Sequence, residues 1–199
     1  MLPIKSKYKV ARRLGPVFEK TQGQKFALRQ QRKRPVGRRR NVSEYGKQLL
    51  EKQKLRVTYG LKEKKLASYI KETLSSREDS IPYLYQLLET RLDSVVYQAG
   101  FASTRRMARQ LVSHGHITVN GRKNNVASTR VKEGDVIGIR KGSMEKPVFA
   151  TLSDYYKTYK APAWLKIDQS AFSATVAEMP KENVASGFDF KKIIEFYTR

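Results

Sequence analysis

The chain has 199 residues, room for one ordinary domain or two small ones, and its 39% hydrophobic content with 11 Tyr and 8 Phe supports folded cores rather than global disorder. Its 41 Lys and Arg against 18 Asp and Glu give a formal net charge of +23, so compaction works against self-repulsion unless a polyanion neutralises it, and nucleic acid is the partner this implies. Without cysteine there are neither disulfides nor thiolate metal sites, and no apolar run reaches the eighteen or so residues of a membrane span.

The charge is concentrated at the start. Residues 1–60 hold eighteen Lys and Arg against Glu19, Glu44 and Glu51, a surplus of fifteen. The opening MLPIKSKYKV lacks the apolar core of a secretory signal, and the absence of cysteine fits a cytosolic location. Lys25 to Arg40 reads KFALRQQRKRPVGRRR, where Pro35 and Gly37 break any helix. Residues 1–42 are therefore expected to be a basic arm ordered on RNA, with strong, sequence-poor and salt-sensitive binding.

A helix is predicted from Ser43, with Glu44 complementing the positive end of the helix dipole. Tyr45, Leu49, Gln53 and Val57 recur at helical spacing as its packing stripe, opposite Lys47, Glu51 and Lys54. Leu66, Ile70 and Leu74 repeat the pattern before the polar stretch Ser75 to Ser80. Pro82 suits a first helical turn, and Leu84, Leu87, Leu88, Leu92, Val95, Val96 and Ala99 keep helical spacing up to Gly100.

The next helix is expected to be capped by Ser103 and to stop near Gly115. Met107, Ala108, Leu111 and Val112 fall on one side, and Arg105, Arg106, Arg109, Gln110 and Ser113 on the other. Ile117 and Val119 then alternate with polar residues, and Asn120-Gly121 has the left-handed preference of a two-residue hairpin turn. The returning strand is expected to include Val126, and a turn at Glu133-Gly134-Asp135 leads into a third strand, Val136 to Ile139. Guanidiniums beside a hairpin carrying Arg122 and Lys123 match phosphates and 2′-hydroxyls of a folded RNA. A basic helix face on its own is usually only solvated, but a chain of this charge shifts the balance towards binding. Arg91 and Asp93 either pair locally or offer an RNA contact. His114 and His116, without cysteine, read as hydrogen-bonding residues, and no metal is assigned.

After Arg140 a short helix is expected around Leu152 to Tyr159, then a strand over Trp164 to Asp168, with Trp164 a packing residue. In the tail, Ile193, Ile194 and Tyr197 are placed to dock on the N-terminal helices. No phosphate-binding glycine loop, metal-ligand cluster or nucleophile motif is present, so no enzyme activity and no cofactor is expected.

The run RLDSVVYQAGFASTRRMARQLVSHGHITVNGR, from Arg91 to Arg122, closely resembles the small RNA-binding domain named after small-subunit ribosomal protein four. VSEYGKQLLEKQKLRVTYGLKEKKL, YKVARRLGP and PAWLKID extend the resemblance to bacterial-type members of that ribosomal family. It implies an α+β fold: a mainly helical domain, residues 43–90 completed by 156–199, with an inserted helix-helix-hairpin RNA-binding domain over 91–155. It also implies a constituent of the small ribosomal subunit in the cytoplasm that binds 16S-type rRNA early in assembly, near a multi-helix junction of the 5′ domain. Small-subunit proteins five and three and the mRNA entrance are implied as neighbours, with influence on accuracy; no homo-oligomer is implied.

The candidate RNA contacts are Arg91, Ser103, Thr104, Arg105, Arg106, Arg109, Gln110, Ser113, His114, Asn120, Gly121, Arg122 and Lys123 in the module. Arg12, Arg13, Arg32, Lys33, Arg34, Lys47, Lys52 and Lys54 complete them, and Arg38, Arg39 and Arg40 match the family's mRNA-entrance segment. Here PVGRRR replaces the family's common P-G-Q-H-G approach, and the cysteine cluster many members carry for zinc is absent. The same module occurs on pseudouridine synthases, RNA methyltransferases and tyrosyl-tRNA synthetases, but the flanks here are too small for their catalytic domains. A free-standing ribosome-associated stress or rescue factor is the remaining alternative.

Overall fold

A computed structural model of the chain describes residues 6–15, 17, 18, 43–150, 152, 156, 159–181 and 187–198. The chain divides into two compact units, Met1–Leu84 with Asn183–Arg199, and Tyr85–Glu182.

The first unit is helical. Helix α1 (Lys7–Leu14) starts where Ser6 Oγ accepts from the Lys9 amide, and ends at Gly15 with φ +87°. It packs on α2 (Glu44–Thr58), whose N-terminus is capped by Ser43 Oγ accepting from Gly46 N. A tight turn through Gly60 leads to α3 (Glu63–Ser75), which buries Leu66, Tyr69, Ile70 and Thr73. The C-terminal helix α7 (Phe190–Thr198) lies along α2 and touches α3, burying Phe190 and Ile193. The tail thus completes the first unit, as the tail's apolar spacing predicts.

The buried face of α2 differs from the predicted stripe. Gln48, Lys52 and Leu55 face inward, while Tyr45 is 53% exposed. The reason is α7. Lys52 Nζ sits 4.0 Å from the Phe196 ring centroid and 2.9 Å from Glu63 Oε1, and Gln48 donates to Glu195 at 3.0 Å. A paired cation over an aromatic face is buried where hydropathy places it outside. In α3, likewise, Leu74 is 46% exposed and Thr73 takes the inward position, its hydroxyl donating back to Tyr69 O.

The second unit begins within α4 (Ser80–Glu89), breaks at Thr90-Arg91 and continues as α5 (Leu92–Gln98). The break is held by a short antiparallel pairing. Leu92 N donates to Thr129 O, Val131 N to Thr90 O, and Arg91 bridges Arg130. Helix α6 (Arg105–Ser113) follows a turn in which Gly100 takes φ +78°. Its cap is Thr104, one residue later than predicted: Thr104 is extended and its hydroxyl accepts from Met107 N, whereas the Ser103 hydroxyl approaches Met107 Sδ.

Strands β1 (Ile117–Val119), β2 (Arg122–Lys123), β3 (Val136–Ile139), β4 (Leu165–Asp168) and β5 (Ser173–Val176) form one antiparallel sheet ordered β2-β1-β3-β5-β4. Asn120 and Gly121 have φ +50° and +76°, the geometry the dipeptide predicts for the turn. The returning strand stops at Lys123. Asn124 Oδ1 accepts from Val126 N, turning the chain out of the ladder and leaving Val126 53% exposed. Because β5 pairs with β3 and β4 with β5, these two strands, expected in the first domain, belong to the module's sheet, and residues 159–181 fall in the second unit.

The core beneath this sheet gathers Leu92, Val95 and Val96 of α5, Ala108, Leu111 and Val112 of α6, Ile117 of β1, Ile137 and Ile139 of β3, and Leu165, Ala174 and Val176. Leu152 and Tyr156 join it and Tyr159 packs against it, Tyr156 donating to Ala99 O at 2.9 Å and Tyr159 to Gln98 O at 2.8 Å, while residues 153–155, 157 and 158 of the helix expected there lie outside the described residues. Trp164 packs partly against the same core, as its reading as a packing residue predicts. Among the described residues no helix is long and apolar enough to cross a membrane.

Candidate nucleic-acid interface

The site is built on α6. Its apolar side is fixed against the core by Ala108, Leu111 and Val112, so the opposite side is held at one rotation. Gln110, Ser113 and His114 are exposed there and Arg106 is partly exposed. Arg105 and Arg109 are less open than periodicity predicts, with side chains 18% and 22% exposed. Arg105 donates to Glu89 Oε1 at 2.8 Å and to Ser94 Oγ at 2.9 Å, and its guanidinium lies 4.8 Å from the Tyr97 ring centroid. Arg109 Nε lies 3.2 Å from Asp93 Oδ2.

Arg91 departs furthest from its expected place. It is 1% exposed and makes a two-pronged pair with Asp93, Nε to Oδ1 at 2.9 Å and Nη2 to Oδ2 at 2.7 Å. A buried guanidinium is retained only if paired in this way, so Arg91 is a structural ion-pair partner and not an RNA contact. The local-pairing alternative for Arg91 and Asp93 is the one realised.

The hairpin stands beside the end of α6. Arg122, Lys123 and Gly121 are exposed at its tip. The Lys123 side chain runs over Gly115, where a Cβ would collide with its Cε, and Gly115 itself has φ +70°. Glycine at the helix end therefore serves both the left-handed backbone and the close passage of a cationic side chain. Asn120 is tied inward. Its Nδ2 donates to Asp135 Oδ1 at 2.8 Å and its Oδ1 accepts from Val136 N at 2.9 Å. Both ends of its amide brace the hairpin against β3, so its part is architectural.

His116 immediately precedes β1, with Nδ1 3.0 Å from Ser143 Oγ and its ring edge-on to Phe149. Burial pushes its pKa below the ordinary histidine value, and Lys146, His114, Arg140 and Lys123 push it further down. That cation-rich rim extends the face past the hairpin. The sequence reading missed Arg140 and Lys146 because they lie beyond the motif, in β3's exit and the 3-10 turns that follow it. It also missed Glu89. The available signal was acidic residues embedded in the apolar run LLETRLDSVV of a strongly basic chain, carboxylates that folding must pair.

In the first unit, Arg12 and Arg13 are exposed on the last turn of α1, and Lys47 is exposed beside Glu44. Lys52 differs from expectation, being 8% exposed and engaged with Glu63. Lys54 is committed to Gly187 O and to Glu51. Arg32, Lys33, Arg34, Arg38, Arg39 and Arg40 lie outside the described residues.

Comparison with known proteins agrees with this architecture. Residues 90–137 match the family model of the S4 domain, and residues 4–89 match that of the ribosomal protein S4/S9 N-terminal domain. Small ribosomal subunit protein uS4 of Roseiflexus sp. (strain RS-1) is 45% identical over 168 residues, 83% of this chain and 82% of the relative. The uS4 protein of Aquifex aeolicus is 42% identical over 170 residues, 83% of this chain and 81% of its own. That of Chloroflexus aurantiacus (strain J-10-fl) is 41% identical over 203 residues, 96% of each chain. With identity at this level running through both the helical unit and the RNA-binding module, the chain belongs to the small ribosomal subunit protein uS4 family.

Proposed function

We propose that the chain is a structural constituent of the small ribosomal subunit that binds 16S-type rRNA through its S4 domain and catalyses no reaction of its own. It joins the rRNA early, near a multi-helix junction of the 5′ domain, and stabilises the body of the subunit. Small-subunit proteins five and three are its neighbours, and the basic segment holding Arg38, Arg39 and Arg40 reaches the mRNA entrance, where it contributes to decoding accuracy. The host compartment is the cytoplasm.

The observation that carries the reading is the face made by α6 and the hairpin. Arg105, Arg106 and Arg109 stand on a helix fixed by its core side, with Gln110, Ser113, His114, Arg122 and Lys123 around them. Planar donors held in place suit the phosphates and 2′-hydroxyls of a folded RNA groove, which is recognised by shape. Ser103, Thr104 and Gly121 border this face, and Arg12, Arg13 and Lys47 add charge from the first unit.

The test is binding of the purified protein to the 5′-domain fragment of small-subunit rRNA, at moderate and high salt, against an unrelated RNA of equal length. A large advantage for the rRNA fragment that persists as salt rises is expected. If both RNAs bind alike and fall together, only charge is established and a free-standing rescue factor becomes the better reading.

A further inference from the structure

Two carboxylates lie at the root of the proposed RNA face, where α4, α5 and α6 meet. Glu89 is 1% exposed and Asp93 5% exposed. Glu89 receives Arg105 through Oε1 and Gln98 through Oε2, the latter at 3.2 Å, while Asp93 receives Arg91 and Arg109. Their presence runs against simple electrostatics. A face acting only as a positive field would hold polyanions more tightly with neutral residues at both positions. What the carboxylates supply is geometry. Arg105 is pinned by Glu89 Oε1 and Ser94 Oγ while its guanidinium lies over the Tyr97 ring, so its plane is set before any RNA arrives. Arg109 is drawn to Asp93 Oδ2, which also accepts from the fully buried Arg91.

We propose that Glu89 and Asp93 are specificity-determining positioning residues of the RNA-binding face. Glu89 sets Arg105 and Asp93 sets Arg109, so discrimination of a folded RNA from any other polyanion depends on two acidic side chains. The inference rests on the RNA-binding reading given above. It separates from a merely structural role by sign. Loss of fold weakens binding to every RNA, whereas loss of positioning weakens selective binding and leaves non-selective binding equal or stronger, because a negative charge has been removed.

The experiment uses the full chain with Glu89→Gln, which keeps the volume and an acceptor oxygen but not the charge. Affinity for the 5′-domain rRNA fragment and for an unrelated RNA of equal length is measured at one salt concentration, alongside a thermal melt. The expected result is a selectivity ratio lower by roughly tenfold, the size of one misdirected charge-assisted hydrogen bond, with the unrelated RNA bound as well or better. In an Arg105→Gln background the same substitution is expected to leave the ratio unchanged, since the guanidinium it positions is gone. A retained ratio in Glu89→Gln, or an additive further loss in the double variant, overturns the proposal. If the melt shows Glu89→Gln unfolded, Glu89→Asp carries the test, keeping the charge but drawing the carboxylate back from Arg105. A lowered ratio there supports the proposal and an unchanged one overturns it. A wild-type ratio near one overturns the rRNA reading itself, and this inference with it.

Discussion

Glu63 illustrates how much of the first unit depends on one side chain. It receives Lys52 at 2.9 Å, Arg56 at 2.6 Å and the Tyr197 hydroxyl at 2.7 Å, joining α2, α3 and α7. Burial pushes its pKa up, but the hydrogen bonds from Tyr197, Lys52 and Arg56 together outweigh this and hold it at about 2 against an ordinary value of 4.5. The folded state thus favours the ionised form, so the stabilisation is complete above pH 4.5 and is lost as pH falls towards about 2. Glu63→Gln is expected to melt below the wild type at pH 7, with the two curves converging as acid protonates the native carboxylate. Melting temperatures at pH 7, 4.5 and 3 check this, and parallel curves across that range would refute it. His116 has the opposite chemistry and the same sign. Its pKa is lowered, so the folded state prefers the neutral ring and loses stability as pH drops below the ordinary histidine range. An NMR titration is expected to place its midpoint below the ordinary histidine value; a midpoint at or above that value contradicts the cationic rim.

At the scale of elements, the hairpin was legible where the backbone demands a residue type. Asn120-Gly121 announced a left-handed turn, and both residues adopt it. The side-chain bonds from Asn120 to Asp135 and Val136 were not legible, because they join residues fifteen and sixteen apart whose meeting depends on β3 folding back. Asn120→Ala is expected to cost about 1–2 kcal/mol, from the lost bonds and the less favoured left-handed backbone, measured by urea denaturation. It is also expected to weaken RNA binding through a loosened hairpin. Undiminished stability would show that the turn alone holds the register. Helix positions tell a similar story. The inward side of α6 followed from Ala108, Leu111 and Val112, which are apolar, whereas that of α2 did not, because Gln48 and Lys52 are buried by partners on α7 and α3. Periodicity finds faces that hydrophobicity drives and misses faces that pairing permits. The half-withdrawn Arg105 and Arg109 belong to the second kind, with their carboxylates on other helices.

For the whole molecule, the decisive quantity is the net charge of +23, of which residues 1–60 carry the larger share. The module and the N-terminal third have different parts in RNA binding. The module's face is small, rigid and braced by acidic residues, and its proposed contribution is selectivity. The segment Arg34 to Arg40, with four arginines and no acidic residue, has the composition of a phosphate-neutralising arm. Each phosphate such an arm neutralises releases counterions and steepens the fall of log affinity with log salt by about 0.7–0.9. Deleting Arg34 to Arg40 is therefore expected to flatten that slope by up to about three while the preference for the rRNA fragment over unrelated RNA survives. Replacing Arg105, Arg106 and Arg109 with Gln is expected to do the reverse, losing preference more than slope. Measuring both variants against both RNAs across a salt series separates the two. An unchanged slope on deleting the arm would rule out its phosphate-binding role, and undiminished selectivity in the triple variant would remove α6 from the recognition surface. The second result would shift recognition to the first unit, where Arg12, Arg13 and Lys47 are among the exposed cations of the described residues.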